Sequence, residues 1–405
     1  MGNRGISFMT ARLYCINKNV ISPRSRNRPR LTPEGFVAHI TERPIFYFII
    51  MQKRIQELDV LRVLAMIFVI TYHFWYEYAT IGLPFVNLFY VTPNYDFGNV
   101  AVTIFIALSG GLLYKKYGAA DTFDHISYKT FYVKRAKAIY PPFWIPCLYI
   151  PLTMLRHYFA DGNAFFMGHP LKLLLTVAGF DGYVRAYGFD TYAFCGDWFV
   201  GAIVLLYLLF PLLAKCYRKF PVVTLLVLVV LYGFQYMIPA EHDDVFSILP
   251  VTISLKFCVG FFLIENLERF RNFRVALVAG ILFLALSLIN IPGRINTDCL
   301  GSVAAIALFA VVFYLSPRLL RFKAVSAPVQ KLAALSYCVF LVQHVTIGWT
   351  QMAYIRVFDK MHLVFSTWNV TALLALTFVV ILLASWVLKR ISDTIVKFFT
   401  FRTIL

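Results

Sequence analysis

The chain has 405 residues, of which 60% are hydrophobic and 14% are charged, and its mean hydropathy is +0.72. Soluble globular proteins carry about 25% charged residues, so the composition excludes a soluble domain and indicates a polytopic membrane protein. The net charge of +18 does not indicate a nucleic-acid partner, because the basic residues lie in short loops between apolar runs. That placement is typical of the positive-inside rule, and we expect the lipid bilayer as the partner.

Residues 1–50 differ from the rest of the chain. They are rich in arginine, are interrupted by Pro23, Pro29 and Pro33, and contain no apolar run long enough to span a bilayer. We interpret them as a basic, disordered cytoplasmic tail. An alternative is that Met51 is the true start and the preceding residues come from an upstream start. Residues 51–395 then form the membrane domain, and 396–405 a short cytoplasmic tail.

The apolar runs predict an all-α membrane bundle of about ten transmembrane helices. The predicted spans are residues 58–78, 97–115, 138–157, 198–215, 220–238, 247–265, 274–290, 299–315, 331–353 and 367–388. Lysine and arginine are concentrated in alternate loops, which predicts that both termini are cytoplasmic. Four prolines, at 141, 142, 146 and 151, predict that the third span is kinked or broken.

The first span carries ionisable residues in an otherwise apolar run. Arg62 and His73 are eleven residues apart, which is about three helical turns and about 16 Å of rise, so their side chains share one helix face. Such residues point into a protein interior or an aqueous cavity and not into lipid. Asp59, one turn before Arg62, is expected to orient the arginine.

The longest outer segment, residues 158–197, combines aromatic side chains with carboxylates. Aromatic faces stack on sugar rings and carboxylates accept from hydroxyls, although an aromatic belt at the membrane interface explains the pattern equally well. The candidates for binding an acceptor here are Tyr183, Tyr187, Asp190, Asp197 and the adjoining Trp198. The seven cysteines are scattered and indicate neither a metal site nor a disulfide framework.

Five segments resemble a known family. Leu58–Ala65 followed by His73 resembles the opening of membrane acyltransferase family 3, with its Arg-x10-His signature. The later segments that resemble this family, in the same order, are Ile104–Gly110, Phe131–Trp144, Trp198–Pro211 and Ser336–His344.

The resemblance implies a multi-pass enzyme of the bacterial inner membrane. Such enzymes move an acyl group, usually acetyl, from cytoplasmic acyl-CoA to sugar hydroxyls of a cell-envelope glycan or glycolipid on the far side. Acetyl-CoA is then a donor substrate, and no bound cofactor or metal is expected. Succinyl or longer acyl groups remain open, as does a glycan or small-molecule transporter without acyl-transfer chemistry. The oligomeric state is not indicated.

The resemblance also implies roles for individual residues. His73 is general base toward the acceptor hydroxyl or a transient acyl carrier, and Arg62 binds the CoA phosphates. His344 is a second acid/base or an orienting group. The remaining donor-site candidates are Lys134, Arg135, Lys137 and, for the thioester carbonyl, Ser109.

The chain departs from the family pattern at three places. Ala138 stands where many members have the second arginine of Arg-x-x-Arg, and the adjacent Lys137 is its expected substitute. The run 201–206 has no carboxylate, and Gly111 replaces a phenylalanine. We also expect no fused extracytoplasmic esterase-like domain, because the chain ends shortly after the tenth span.

Overall fold

The computed structural model describes residues 54–79, 86–118, 127–235, 245–291 and 296–402. Within these ranges the regular elements are helical, and the strand-like pairing they contain is an isolated bridge between Val91 and Asp96. The predicted all-α class is therefore confirmed. The predicted tail at 1–50 lies outside the described residues.

Thirteen α-helices are described. They are α1 (Gln56–Ala79), α2 (Phe97–Leu113, continued by a π-helical turn Tyr114–Gly118), α3 (Tyr128–Cys147), α4 (Tyr149–Asp161), α5 (Leu173–Ala178), α6 (Asp181–Arg185), α7 (Asp197–Lys219), α8 (Pro221–Phe234), α9 (Pro250–Glu265), α10 (Phe273–Leu288), α11 (Thr297–Leu319), α12 (Lys323–Met361) and α13 (Thr367–Arg402).

Each of the ten predicted spans coincides with a helix or, for the third, with the pair α3 and α4. Among the described residues, seven helical segments are long and apolar enough to cross a membrane. The other three, α8, α9 and α10, have 14, 16 and 16 residues, which is shorter than the about 20 residues of a typical spanning helix. A count of ten crossings and cytoplasmic termini remain predictions.

The predicted break in the third span is confirmed at Leu148. Helix α3 ends at Cys147 and α4 begins at Tyr149. Pro151 has no N–H to donate to the carbonyl of Cys147, four residues earlier, so the helical hydrogen-bond ladder is interrupted there.

Helix α2 is central to the bundle and packs against α1, α9 and α11. Glycines allow the closest of these approaches: a Cβ atom on Gly260 of α9 would collide with the backbone of Ala107, and one on Gly110 would collide with the carbonyl of Phe257. Gly111 faces the carbonyl of Gly260 in the same way. The glycine that departs from the family pattern therefore lies in a tight helix contact of the kind that small residues permit in membranes.

The two sides of the bundle are named from α1: it begins on the entry side and ends on the far side. Arg271, just before α10, contacts Glu57 at the start of α1 at 3.1 Å, so both lie on the entry side. On the far side, the thiols of Cys147 and Cys195 lie 3.7 Å apart and buried, a proximity that the scattered cysteines did not predict.

Candidate active site

A cavity of about 650 Å³ opens on the far side of the bundle. Its volume lies in the range of small-molecule binding sites, about 300–1,000 Å³. Residues from α1, α2, α7, α9, α11 and α12 and from the segments before α2, α9 and α11 contribute to it. The lining consists of Val69, Tyr72, His73, Tyr76, Asp96, Gly98, Asn99, Val102, Trp198, Ser247, Lys256, Asn296, Thr297, Asp298 and His344.

Two histidines meet in this far-side cavity. The ring centroids of His73 on α1 and His344 on α12 are 4.5 Å apart, with the ring planes inclined by 49°. Glu77, one turn after His73, places Oε1 3.4 Å from Nδ1 of His344. A carboxylate beside Nδ1 favours the proton on that nitrogen and leaves Nε2 as an acceptor. Nδ1 of His73 is buried and has no hydrogen-bond partner among the residues that the structure describes.

A buried ion pair lies elsewhere in the lining of the far-side cavity. Nζ of Lys256 on α9 is 2.5 Å from Oδ1 of Asp298 at the start of α11. Nδ2 of Asn99 donates to the same oxygen at 2.9 Å, and Tyr232 OH donates to Oδ2 at 3.0 Å. Lys256 and Asp298 are only 5% and 3% exposed. Because burying charges in a membrane protein is costly, such pairs mark functional sites.

Asp96 adds a further carboxylate to the same lining. Its Oδ1 accepts from the backbone N–H of Asn99 at 2.7 Å and so caps α2. Burial raises the pKa of Asp96 above its ordinary value, because the charged form has lost contact with water.

A second cavity, of about 240 Å³, lies closer to the entry side. Its lining consists of Arg62, Phe105, Leu108, Ser109, Ala138, Ile139, Phe199, Ile203, Tyr207, Ser336, Tyr337 and Phe340. Arg62 lies 3.6 Å from Asp59, as the i, i+3 spacing predicted, and Asp59 is buried. Arg62 and His73 thus both line cavities, although each lines a different one.

Ser109 and Tyr207 line the entry-side cavity, and Arg135 lies beside Tyr207 without lining it. The hydroxyl oxygens of Ser109 and Tyr207 are 2.9 Å apart, and the Arg135 guanidinium lies 5.8 Å from the Tyr207 ring centroid. Nε of Arg135 is buried and has no hydrogen-bond partner among the described residues. The basic segment is helical from Tyr128 onward and not a loop, and Lys134 and Lys137 are exposed on that helix.

An aromatic layer, formed by Phe105, Phe199 and Phe340, lines the entry-side cavity. The Phe199 ring centroid is 4.3 Å from that of Phe340 and 6.3 Å from that of Phe105. Trp198, the residue before Phe199 on α7, and His344, four residues after Phe340 on α12, line the far-side cavity instead. The lining residues of the two cavities do not overlap.

The residues predicted to bind the acceptor lie in different places in the structure. Trp198 lines the far-side cavity. Tyr183 is buried and donates to the carbonyl of Ile248 at 2.7 Å, and Tyr187 donates to the Tyr183 hydroxyl at 3.2 Å, so this pair attaches α6 to the segment before α9. Asp190 is exposed, and Asp197 begins α7 with its side chain outside the description. Of these candidates, only Trp198 lies in the lining of the two cavities described.

Comparison with models of known protein families shows which family the chain belongs to. The family model described as an acyltransferase domain, of the acyltransferase 3 family, matches residues 55–390. The chain belongs to the acyltransferase 3 family. Searches of curated proteins and of solved structures give no match to the chain. Family membership identifies the protein as an acyltransferase.

Sequence reasoning missed Glu77, Lys256 and Asp298. Glu77 had a usable signal, because a spacing of four residues puts it on the same helix face as His73. Lys256 interrupts the apolar run 247–265, and Asp298 directly precedes the apolar run 299–315. An isolated charge in a predicted span is by itself an indication of function.

Proposed function

We propose that this protein is a membrane O-acyltransferase that moves a short acyl group, most simply acetyl, from acyl-CoA to a sugar hydroxyl. The proposal rests on one observation. His73, His344 and Glu77 form a cluster at a far-side cavity, and the same α1 helix carries Arg62 into a separate entry-side cavity.

The donor is proposed to enter the entry-side cavity. Arg62 lines that cavity and Arg135 lies beside its lining residue Tyr207, and guanidinium forks bind phosphate oxygens with two parallel hydrogen bonds. The Ser109 and Tyr207 hydroxyls, 2.9 Å apart, offer donors to a thioester carbonyl. Under the predicted topology this cavity faces the cytoplasm, where acyl-CoA is made, and the acyl end points toward the aromatic layer.

The acceptor is proposed to occupy the far-side cavity. Its hydroxyl oxygen attacks the thioester carbonyl carbon, the bond from that carbon to sulfur breaks, and the hydroxyl proton passes to an imidazole. The protonated imidazole then returns the proton to the CoA thiolate. In the alternative route a nitrogen of His73 attacks the thioester carbonyl carbon, the carbon–sulfur bond breaks and CoA leaves as the thiolate. The acceptor hydroxyl then attacks the acylated His73, the carbon–nitrogen bond breaks, and the hydroxyl proton passes through an imidazole to the CoA thiolate. The contact with Glu77 favours His344 as the proton acceptor and is compatible with either role for His73.

The predicted setting is the bacterial inner membrane, with a cell-envelope glycan or its lipid-linked precursor as acceptor. A transporter built on the same bundle is the rival function. It needs a continuous path for its cargo but no base beside a bound hydroxyl. The pairing of two histidines with a carboxylate favours acyl transfer over transport.

The test uses the full chain, purified into lipid nanodiscs and supplied with acetyl-CoA and sugar acceptors. We expect free CoA to appear only when donor and acceptor are both present, together with an acetylated sugar detected by mass spectrometry. His73→Ala should lower the rate by about 10²–10⁴-fold, the range that positioned acid–base groups contribute.

The matched control is His157→Ala. His157 lies on α4, pairs with Asp161 at 3.1 Å and is well separated in sequence from both histidines of the cluster. We expect it to retain full activity. The same protein reconstituted into sealed liposomes would overturn the proposal if it moved sugar across the bilayer without releasing CoA, as would an unchanged rate in His73→Ala.

A further inference from the structure

The buried ion pair of the far-side cavity has no role in the chemistry described so far. Lys256 and Asp298 are brought together from α9 and α11, and Asn99 of α2 bonds to Asp298. These three residues, called the polar anchor below, lie in the same cavity lining as His73 and His344 but belong to different helices. A hydrophobic pair of similar volume would hold the helices together at least as well as a buried salt bridge. The position of the polar anchor in the lining of the far-side cavity is therefore better explained by contact with a ligand than by helix packing.

Counting the hydrogen bonds of the polar anchor shows what it offers. The Lys256 ammonium has three N–H groups, of which one faces Asp298 at 2.5 Å and another faces Oδ1 of Asn99 at 3.5 Å. Oδ1 of Asp298 accepts from Lys256 and Asn99, while Oδ2 accepts from Tyr232. Among the residues that the structure describes, one lysine N–H and one lone pair on Oδ2 therefore have no partner and remain for a ligand.

A donor beside an acceptor matches a hydroxyl group, which both donates and accepts. Two neighbouring sugar hydroxyls satisfy this pattern, one accepting from Lys256 and the other donating to Asp298. A carboxylate or phosphate ligand offers acceptors only. It would bond to the lysine and leave its remaining charge facing Asp298.

The charge of the lining leads to the same conclusion. The lining of the far-side cavity contains one ammonium, Lys256, and two carboxylates, Asp96 and Asp298. The Glu77 carboxylate lies outside the lining, in contact with His344. Burial already disfavours the charged form of Asp96. A ligand anion would add another negative charge to a site where unlike charges are already paired within the protein, and desolvating it would be costly.

We propose that Lys256, Asp298 and Asn99 form the acceptor-binding subsite and that it selects an uncharged, hydroxyl-rich sugar over an acidic one. This inference rests on the proposed function and goes further by assigning a substrate class to the far-side cavity. Trp198 and Tyr72 in the same lining supply aromatic faces for the sugar ring.

The experiment compares matched acceptors that differ at C6, where a carboxylate replaces the primary alcohol of the neutral sugar. Octyl glucoside, galactoside and mannoside, each below its micelle concentration, are offered with acetyl-CoA beside the corresponding octyl uronides, and CoA release is followed. We expect the best neutral glycoside to be used at least about tenfold better in kcat/KM than its uronide, the factor that corresponds to about 1.4 kcal/mol.

Two variants link this selectivity to the polar anchor. Asp298→Asn keeps the shape and the hydrogen-bond acceptor while removing the negative charge, so it should raise the uronide rate relative to the neutral glycoside. Lys256→Met should raise KM for the neutral glycoside about tenfold and leave KM for acetyl-CoA unchanged. A merely structural ion pair would instead change both KM values, or thermal stability alone, with no change in the preference between the two acceptors.

The outcomes separate the two proposals. Faster transfer to the uronides, or an acceptor preference that Asp298→Asn leaves unaltered, overturns the subsite while acyl transfer stands. Absence of CoA release with every glycoside overturns acyl transfer to sugars, and the subsite with it. If Lys256→Met does not fold, the acceptor preference of Asp298→Asn alone tests the subsite.

Discussion

The imidazole rings of His73 and His344 lie 4.5 Å apart, centroid to centroid, although they belong to the first and the last but one of the long helices. Two imidazoles at this distance cannot both be protonated without repulsion. The Glu77 carboxylate lies beside Nδ1 of His344, which makes the pair unequal. We therefore expect His344 to carry the mobile proton and His73 to face the acyl group.

Glu77→Gln tests this division of roles. The change keeps the shape of the side chain and removes the negative charge that lies beside Nδ1 of His344 and orients its ring. We expect kcat to fall by about 10–100-fold, part of the 10²–10⁴-fold that a positioned base contributes, while KM for acetyl-CoA stays constant. Steady-state kinetics with each substrate varied separately measures both. A kcat within twofold of wild type would show that Glu77 does not act through His344.

The coupling between the two histidines can be measured directly with His73→Ala, His344→Ala and the double variant. Residues that act as one catalytic unit are strongly non-additive. We expect the double variant to be about as slow as the slower single variant. Multiplicative losses would mean that the two imidazoles serve independent steps.

The sequence predicted part of this site through short-range periodicity. Arg62 and His73 share a helix, and the helical repeat places them on one face. The structure shows each of them in a cavity lining, as a shared inward face requires. The same periodicity applied to His73 and Glu77 would have revealed the carboxylate as well.

Contacts between distant helices were beyond such reasoning. The pairing of Lys256 with Asp298, and the approach of His344 to His73, depend on how α9, α11 and α12 pack around α1 and α2. The aromatic and acidic composition of the outer segment was similarly ambiguous. Tyr183 turned out to bond to the carbonyl of Ile248, a role that composition does not distinguish from sugar stacking.

Arg62→Ala and Arg135→Ala test the donor site. Each guanidinium is proposed to hold a CoA phosphate from the entry side, so each change should raise KM for acetyl-CoA by about tenfold or more, equivalent to about 1.4 kcal/mol, and leave KM for the acceptor unchanged. Lysine at either position should recover only part of the loss, since an ammonium lacks the planar fork. The control is Arg321→Ala, an exposed arginine between α11 and α12.

The close contact between α2 and α9 predicts a difference between two glycines. A Cβ atom on Gly260 would collide with the backbone of Ala107, whereas one on Gly348 of α12 meets nothing within 4 Å. Gly260→Ala should destabilise the protein by about 1–3 kcal/mol through overpacking. Gly348→Ala should be neutral or stabilising by up to about 1 kcal/mol, because glycine in a helix costs conformational entropy.

Thermal unfolding of both glycine variants in the same lipid nanodiscs measures the contrast. Because α2 carries Asn99 and Ser109 into the two cavities, forcing it away from α9 should also lower acyl transfer in Gly260→Ala. Equal melting temperatures for the two variants would show that α2 and α9 do not pack through Gly260. The packing of α9 that places Lys256 in the lining of the far-side cavity would then be wrong.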